Sequence, residues 1–219
     1  MPRREYTTHT ERLEAFRQID VYPVVTSEYC LGRDPADVAA SLLAAGVRIL
    51  QMREKTMPDR PFLALLRRVR ELTWEHGALL IVDDRVDAAL IAGADGVHLG
   101  QDDLPLTDAR KLAPELLLGV STHNAEEIRI AQDEGCSYLN IGPIYPTQTK
   151  KLACAFLGVD MLRSLAPTVR VPFTVMGGIK FDHLPELKAA GACRIAAVTA
   201  FTQAPDPGAE AARWRAALS

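Results

Sequence analysis

Residues 78–103 read Ala78-Leu79-Leu80-Ile81-Val82-Asp83-Asp84-Arg85-Val86-Asp87-Ala88-Ala89-Leu90-Ile91-Ala92-Gly93-Ala94-Asp95-Gly96-Val97-His98-Leu99-Gly100-Gln101-Asp102-Asp103. This stretch holds one structural period. Leu79-Leu80-Ile81-Val82 is apolar throughout, as a strand buried on both faces must be. A helical pattern follows and ends at Ala92-Gly93-Ala94. Glycine suits a helix C′ position, where a positive φ costs it nothing. A second β-type run, Gly96–Gly100, comes next. Strand, helix and strand in this order are the unit of a parallel sheet.

The unit recurs in both directions. Apolar β-type runs occupy Val21–Thr26, Arg48–Glu54, Ala78–Asp84, Gly96–Gly100, Leu116–Thr122, Tyr138–Ile144, Pro172–Gly178 and Arg194–Ala200. Helical patterns lie between them. One opens at Asp34-Pro35, a cap followed by proline at the first helical position. Another opens at Asn124-Ala125-Glu126-Glu127, an N-cap with Glu three residues on. The helix-end glycine of the first period returns as Gly46, Gly135 and Gly191, at spacings of 47, 42 and 56 residues. Each spacing matches two strand–helix units of a barrel averaging ~25–30 residues per unit. The glycines therefore mark strands two, four, six and eight.

The pattern predicts an α/β fold, a single (β/α)₈ TIM barrel over residues 21–219. Residues 1–20 read as a polar N-terminal arm with a short helix in Thr10–Ile19. The competing fold is a doubly wound open sheet. It calls for a Gly-rich turn after its first strand, and Val21–Thr26 leads into Ser27-Glu28-Tyr29-Cys30 instead.

Composition narrows the function. The 219 residues are 48% hydrophobic and 24% charged, which supports one sizeable core and argues against disorder. A net charge of −3 provides no basic surplus for nucleic acid or an anionic membrane. No apolar run approaches the roughly 18 residues of a membrane span. The start, Met1-Pro2-Arg3-Arg4-Glu5-Tyr6, has no apolar signal region, so a cytoplasmic protein is expected. Cys30, Cys136, Cys154 and Cys193 form no CxxC and share no zinc spacing with histidine. They read as four small buried hydrophobes in a reduced interior.

A barrel carries its chemistry at the C-terminal ends of its strands. There this chain places Gln51-Met52-Arg53-Glu54-Lys55, Asp83-Asp84-Arg85, Gly100-Gln101-Asp102-Asp103, Ser121-Thr122-His123, Thr147-Gln148-Thr149-Lys150-Lys151, Gly177-Gly178 and Val198-Thr199-Ala200. Asp84 and Asp103 are hard oxygen donors on neighbouring strands, the kind that hold Mg²⁺ together with substrate phosphates. Arg53, Lys55 and Lys150 suit polyphosphate oxygens. Gly177-Gly178 admits an anion close to backbone N–H groups, at strands where this fold commonly binds phosphate. Two anion regions are expected: a Mg-pyrophosphate on strands two to four and a monophosphate on strands seven and eight. Taken singly, the motifs have blander readings. Asp83-Asp84-Arg85 is also a capping and salt-bridge cluster, Lys150-Lys151 a solvated loop, and His98 a packed core histidine. Their common location at one rim favours a site.

In these motifs the chain resembles the thiamine phosphate synthase (thiamine-phosphate pyrophosphorylase) family. The resemblance is carried by Gln51–Lys55, Asp84–Leu90, Ala94–Asp103, Gly119–His123, Gly142–Lys150 and Gly177–Ile179, and spans nearly everything from Val21. It implies a transferase that joins the diphosphate of a hydroxymethyl-aminopyrimidine to a hydroxyethyl-thiazole phosphate, giving thiamine phosphate and pyrophosphate. It implies Gln51, Arg53 and Lys55 on the pyrimidine diphosphate, Mg²⁺ on Asp84 and Asp103, and Ser121 and Lys150 on the diphosphate. Thr147, Thr149, Gly178, Val198 and Thr199 would cradle the thiazole phosphate, and Asp83 and Gln148 join the substrate-binding set. Arg53, Lys55, Ser121 and Lys150 would act in catalysis. The aminopyrimidine can stabilise a cation at its CH₂, so a dissociative departure of pyrophosphate is expected, with no side-chain nucleophile or base. Small molecules are the expected partners, and a homo-oligomer is compatible.

The chain departs from the family pattern twice. Asp83 stands where the family usually has Asn; it would ligate metal, pair with Arg85 or mark a changed substrate preference. The loop Leu152–Leu157 is apolar and would pack on the site or on a partner. Two other functions are open to this fold. A thiazole tautomerase binds a thiazole phosphate but needs no Mg-diphosphate half. A non-catalytic barrel would bind thiamine precursors without turnover.

Overall fold

Leu79–Asp83 forms a strand whose first four residues are fully buried, as its unbroken apolar run requires. In the computed structural model, which describes residues 5–147 and 156–219, this is β3 of a closed parallel barrel. The other strands are β1 (Val21–Val25), β2 (Ile49–Met52), β4 (Gly96–Leu99), β5 (Leu117–Thr122), β6 (Tyr138–Ile141), β7 (Phe173–Val175) and β8 (Ile195–Ala197). They pair in sequence order, and β8 closes on β1. All eight lie inside the runs expected from sequence. They are shorter mainly because every run but the fifth continues past its last strand residue into the loop that carries the rim.

Helices α1 (His9–Arg17), α2 (Pro35–Ala44), α3 (Asp59–His76), α4 (Val86–Ala92), α5 (Leu106–Leu112), α6 (Ala125–Asp133), α7 (Gly158–Leu165), α8 (Leu184–Ala189), α9 (Thr199–Thr202) and α10 (Pro207–Leu218) complete the described chain. Their ends follow the local chemistry. Asp34 accepts from the Ala36 N–H ahead of Pro35, and Asn124 accepts from the Glu127 N–H. Gly46, Gly93, Gly135 and Gly191 all have positive φ and precede β2, β4, β6 and β8.

Inward-facing residues alternate along each strand, and they make a second core distinct from the one under the helices. Tyr22, Ile49, Leu79, Ile81, Leu117, Tyr138 and Ala196 fill the lower barrel. Helix α1 starts one residue earlier than expected, on a Thr8–Glu11 capping box. It closes the N-terminal end. Its Phe16 is fully buried and stacks on Tyr138 with ring centroids 4.2 Å apart. Arg12 and Arg70 share the buried Asp95, which also accepts from the Leu80 N–H. This floor leaves only the opposite end of the barrel open. Cys30 and Cys136 are buried as expected. Cys193 is exposed, because it falls in the turn between Gly191 and β8. Cys154 lies outside the described residues. Among the described residues no helix is long and apolar enough to cross a membrane.

Candidate active site

The two-residue period of the strands decides which side chains enter the mouth. Gln51 lies on β2 and Arg53 just past its end on the same parity, Asp83 ends β3, His98 lies on β4 with Gly100 just beyond it, and Ser121 lies on β5. With Lys55, Asp84, Asp103, Val24, Met176 and Val198 they line a cavity of about 100 Å³.

Its charges are interlocked. Lys55 donates to Asp84 and lies 3.1 Å from Asp83 Oδ2, and Arg53 Nε lies 3.4 Å from the same oxygen. Burial raises the Asp83 carboxyl above the ordinary carboxylate range, with Lys55 and Arg53 pulling the other way. Burial also works against the Lys55 ammonium, but Asp83 and Asp84 outweigh it and hold its pKa up. Asp83 does not pair with Arg85. The Arg85 guanidinium turns away to Asp59 and Asp87, an exposed cluster at the start of α4. No side chain of this motif caps α4, and its salt bridges run two ways, Asp83 and Asp84 to Arg53 and Lys55 and Arg85 to Asp59 and Asp87.

Asp84 has φ +60°, a left-handed conformation uncommon outside glycine. Its N–H donates to the His98 carbonyl at 2.8 Å, and the next N–H, of Arg85, returns to the Asp83 carbonyl at 2.7 Å. This turn holds the Asp84 carboxylate at the rim. Asp103 Oδ2 accepts from the Gly100 N–H at 2.6 Å. Burial and the neighbouring Asp84 carboxylate raise the Asp103 pKa, against that N–H. Two hard-oxygen carboxylates, of which Asp84 raises the pKa of Asp103, fit a divalent cation. No group of three or more His, Cys, Asp or Glu suited to a metal occurs among the described residues. Asp84 and Asp103 by themselves are a donor pair that would suit Mg²⁺, which takes few protein ligands and completes its shell with water and phosphate.

A second cavity, of about 780 Å³, adjoins the first. Its lining includes Tyr29, Thr147, Met176, Gly177, Gly178, Lys180, Val198, Thr199 and Gln203. Met176 and Val198 line both cavities and form the boundary between them. Gly178 has φ +62°, and a Cβ there would fall 2.3 Å from the Pro146 carbonyl oxygen. Glycine thus lets the loops after β6 and β7 close on each other.

Of the residues expected at the site, Gln51, Arg53, Lys55, Asp83, Asp84, Asp103 and Ser121 meet in the first cavity. Thr147, Gly178 and Thr199 meet in the second, and Val198 touches both. Gln148, Thr149 and Lys150 lie outside the described residues, as does most of the apolar loop. At that loop's end Phe156 is exposed and Leu157 packs on the main core. His98 is packed, as expected, but its Nε2 also lies 3.0 Å from Ser121 Oγ. Sequence reasoning passed over Met176, Gln203, Tyr29 and Lys180. Lys180 carried a usable signal, a cation two residues beyond Gly178. It forms no ion pair with any described residue.

Comparison with known proteins agrees with this geometry. Residues 21–201 match the thiamine monophosphate synthase family. A thiamine-phosphate synthase of Pelotomaculum thermopropionicum is 39% identical over 94% of this chain and 95% of its own. One from Moorella thermoacetica is 41% identical over 90% of this chain and 95% of its own. The solved thiamine phosphate pyrophosphorylase of Pyrococcus furiosus superposes with a TM-score of 0.85 at 31% identity, covering 93% of this chain and 96% of that one. An eight-stranded barrel with two adjoining cavities at its mouth and these matches lead to one conclusion: the chain belongs to the thiamine monophosphate synthase family.

Proposed function

We propose that this transferase joins an aminopyrimidine carrying a diphosphooxymethyl group to a hydroxyethyl-thiazole phosphate. One observation carries the reading. A cavity bearing Arg53, Lys55, Asp84 and Asp103 meets, along Met176 and Val198, a larger cavity bearing Gly178, Thr199 and Lys180.

In the reaction the CH₂–O bond breaks, and its electron pair leaves with pyrophosphate. The thiazole nitrogen lone pair then forms the new C–N bond to the same carbon. Arg53 and Lys55 bind the diphosphate and stabilise the charge that grows on the leaving oxygen. Both are paired to carboxylates beforehand, so they are held at the mouth with little freedom left to lose. Ser121 donates to the diphosphate, and Lys150 is assigned there by resemblance. Gln51 orients the pyrimidine. Gly178, Val198, Thr199, Thr147 and Lys180 hold the thiazole phosphate so that the ring nitrogen faces the CH₂ across the boundary. Asp84 and Asp103 would hold Mg²⁺, which when bound supplies charge neutralisation for the departing pyrophosphate. No side chain need act as nucleophile or base.

The cations and paired carboxylates of the first cavity are what a tautomerase has no use for, and turnover is what a simple precursor binder would lack. Incubation with both precursors and Mg²⁺ tests the reading. Equimolar thiamine phosphate and pyrophosphate are expected, each requiring both precursors. Isomerisation of a thiazole substrate without pyrophosphate release would move the protein to the tautomerases.

A further inference from the structure

Beneath the site a line of buried polar side chains crosses the barrel. Gln51 Nε2 donates to the Tyr22 hydroxyl at 3.1 Å. The Tyr22 and Tyr138 hydroxyls are 3.0 Å apart, Tyr138 O is 3.1 Å from His98 Nδ1, and His98 Nε2 is 3.0 Å from Ser121 Oγ. Tyr22 and Tyr138 are at most 1% exposed, Gln51 3% and His98 7%. Phe16 seals the line from below.

The line is built into the strand register. His98 of β4 and Tyr138 of β6 both pair with Gly119 of β5. A Cβ on Gly119 would fall 2.4 Å from the Tyr138 hydroxyl and 2.6 Å from His98 Nδ1. Only glycine leaves the space in which the two side chains meet over the intervening strand.

The donor inventory gives the line a direction. An amide nitrogen only donates, so the Tyr22 oxygen accepts from Gln51. Tyr138 is the one described acceptor within reach of the buried Tyr22 hydroxyl, so satisfying that hydroxyl sends its proton to Tyr138, and Tyr138 in turn satisfies its own on His98 Nδ1. Nδ1 must therefore present a lone pair, so the ring proton sits on Nε2 and is donated to Ser121 Oγ. Ser121 is left to send its hydroxyl proton elsewhere, and Ser121 lines the first cavity.

We infer that Tyr22, Tyr138 and His98 form a one-way hydrogen-bond relay that fixes His98 as the Nε2–H tautomer and turns the Ser121 hydroxyl into a donor toward the diphosphate. The tautomer assignment stands on the described contacts alone, whereas the role for Ser121 rests on the proposed function. The three relay residues are positioning residues. At the far end the relay leaves Gln51 Oε1 as an acceptor, complementary to an amino group on the pyrimidine.

Long-range ¹H–¹⁵N spectra of the ¹⁵N-histidine-labelled full chain read the tautomer directly. The His98 signals are assigned among the five histidines by their loss in His98→Gln. A pyridine-type shift at Nδ1 with a pyrrole-type shift at Nε2 is expected. The opposite tautomer, or protonation of both nitrogens, overturns the relay. Binding of inorganic pyrophosphate with Mg²⁺ gives a second readout. Ser121→Ala and His98→Leu should each weaken it about tenfold, the loss of one charge-assisted hydrogen bond. The double variant should be no weaker than either, since the two act as one unit. His98→Gln keeps a donor beside Ser121 and should recover most of the binding. Additive losses, or full binding in His98→Leu, would overturn the coupling of His98 to Ser121. Failure of the parent to bind pyrophosphate counts against the proposed function, while the ring shifts still decide the relay.

Discussion

The Asp83 carboxylate lies 3.1 Å from the Lys55 ammonium, in a position where it competes with any diphosphate for that charge. Arg53 is 3.4 Å from the same oxygen. Asp83→Asn removes the competitor and frees both cations. Tighter pyrimidine diphosphate binding is expected, by about fivefold, or on the order of 1 kcal/mol at this partly solvated mouth. Calorimetric titration with and without Mg²⁺ checks it. Weaker binding of the variant would make Asp83 an acceptor that orients substrate or cation.

Asp84→Asn and Asp103→Asn should each abolish Mg-dependent turnover while leaving the fold intact. Asparagine tolerates the left-handed backbone that Asp84 adopts, at φ +60°, so the turn survives. Loss of a metal carboxylate should lower turnover about a hundredfold or more, ~2.7 kcal/mol of transition-state stabilisation. Removing one of two adjacent carboxylates costs the free protein little, and the melting temperature should barely move. Turnover at limiting Mg²⁺ that matches the parent in both variants would remove the metal assignment.

How far the sequence discloses this site depends on where each partner lies. Asp84 and Asp103 were readable as rim residues because Asp84 directly follows β3 and Asp103 lies in the short loop after β4, and the barrel sends whatever follows a strand to its rim. Val82 and Leu118 were readable as core from unbroken apolar runs. The partner of Asp83 was not. Proximity in sequence points to Arg85, but Arg85 opens α4 and reaches out to Asp59 on α3, while Arg53 and Lys55 arrive from the neighbouring strand. Tyr22 and Tyr138 have the inward parity of their strands, yet 116 residues separate them, and only the closed barrel brings their hydroxyls together. Phe16 looked like part of a polar arm because its burial comes entirely from the barrel floor it covers.

Lys180→Ala should raise the Michaelis constant for the thiazole phosphate about tenfold and leave kcat within about twofold. A contact to a phosphate that does not react is made equally in the ground and transition states, so it sets binding rather than rate. Lys180 is exposed at the cavity edge, so the effect should shrink as salt screens it. Steady-state kinetics at low and high ionic strength check both halves. A lowered kcat with an unchanged Michaelis constant would instead assign Lys180 to the departing pyrophosphate.

His123→Ala separates synthase from tautomerase. A tautomerase must move a proton on the thiazole ring, and imidazole is the commonest side chain for that task. His123 follows β5, at the rim where such a group would be sought. Its surroundings argue for another role. Its Nδ1 lies 2.7 Å from Glu127 Oε2, and its backbone N–H donates to the same oxygen at 2.8 Å. The ring is thereby tied to the first turn of α6, beside the Asn124 cap, and it lines neither cavity. Loss of a general acid or base typically costs ~10²–10⁴-fold in rate. A synthase that works by pyrophosphate departure has no such proton step to lose. Coupling activity of the variant is therefore expected within about tenfold of the parent, less than ~1.4 kcal/mol of transition-state stabilisation. What loss occurs should come from a looser turn into α6, and it should appear as a lowered melting temperature. If the parent instead isomerised a thiazole carboxylate without coupling, and the variant lost about three orders of magnitude of that activity, the synthase reading would fail and His123 would be its catalytic base.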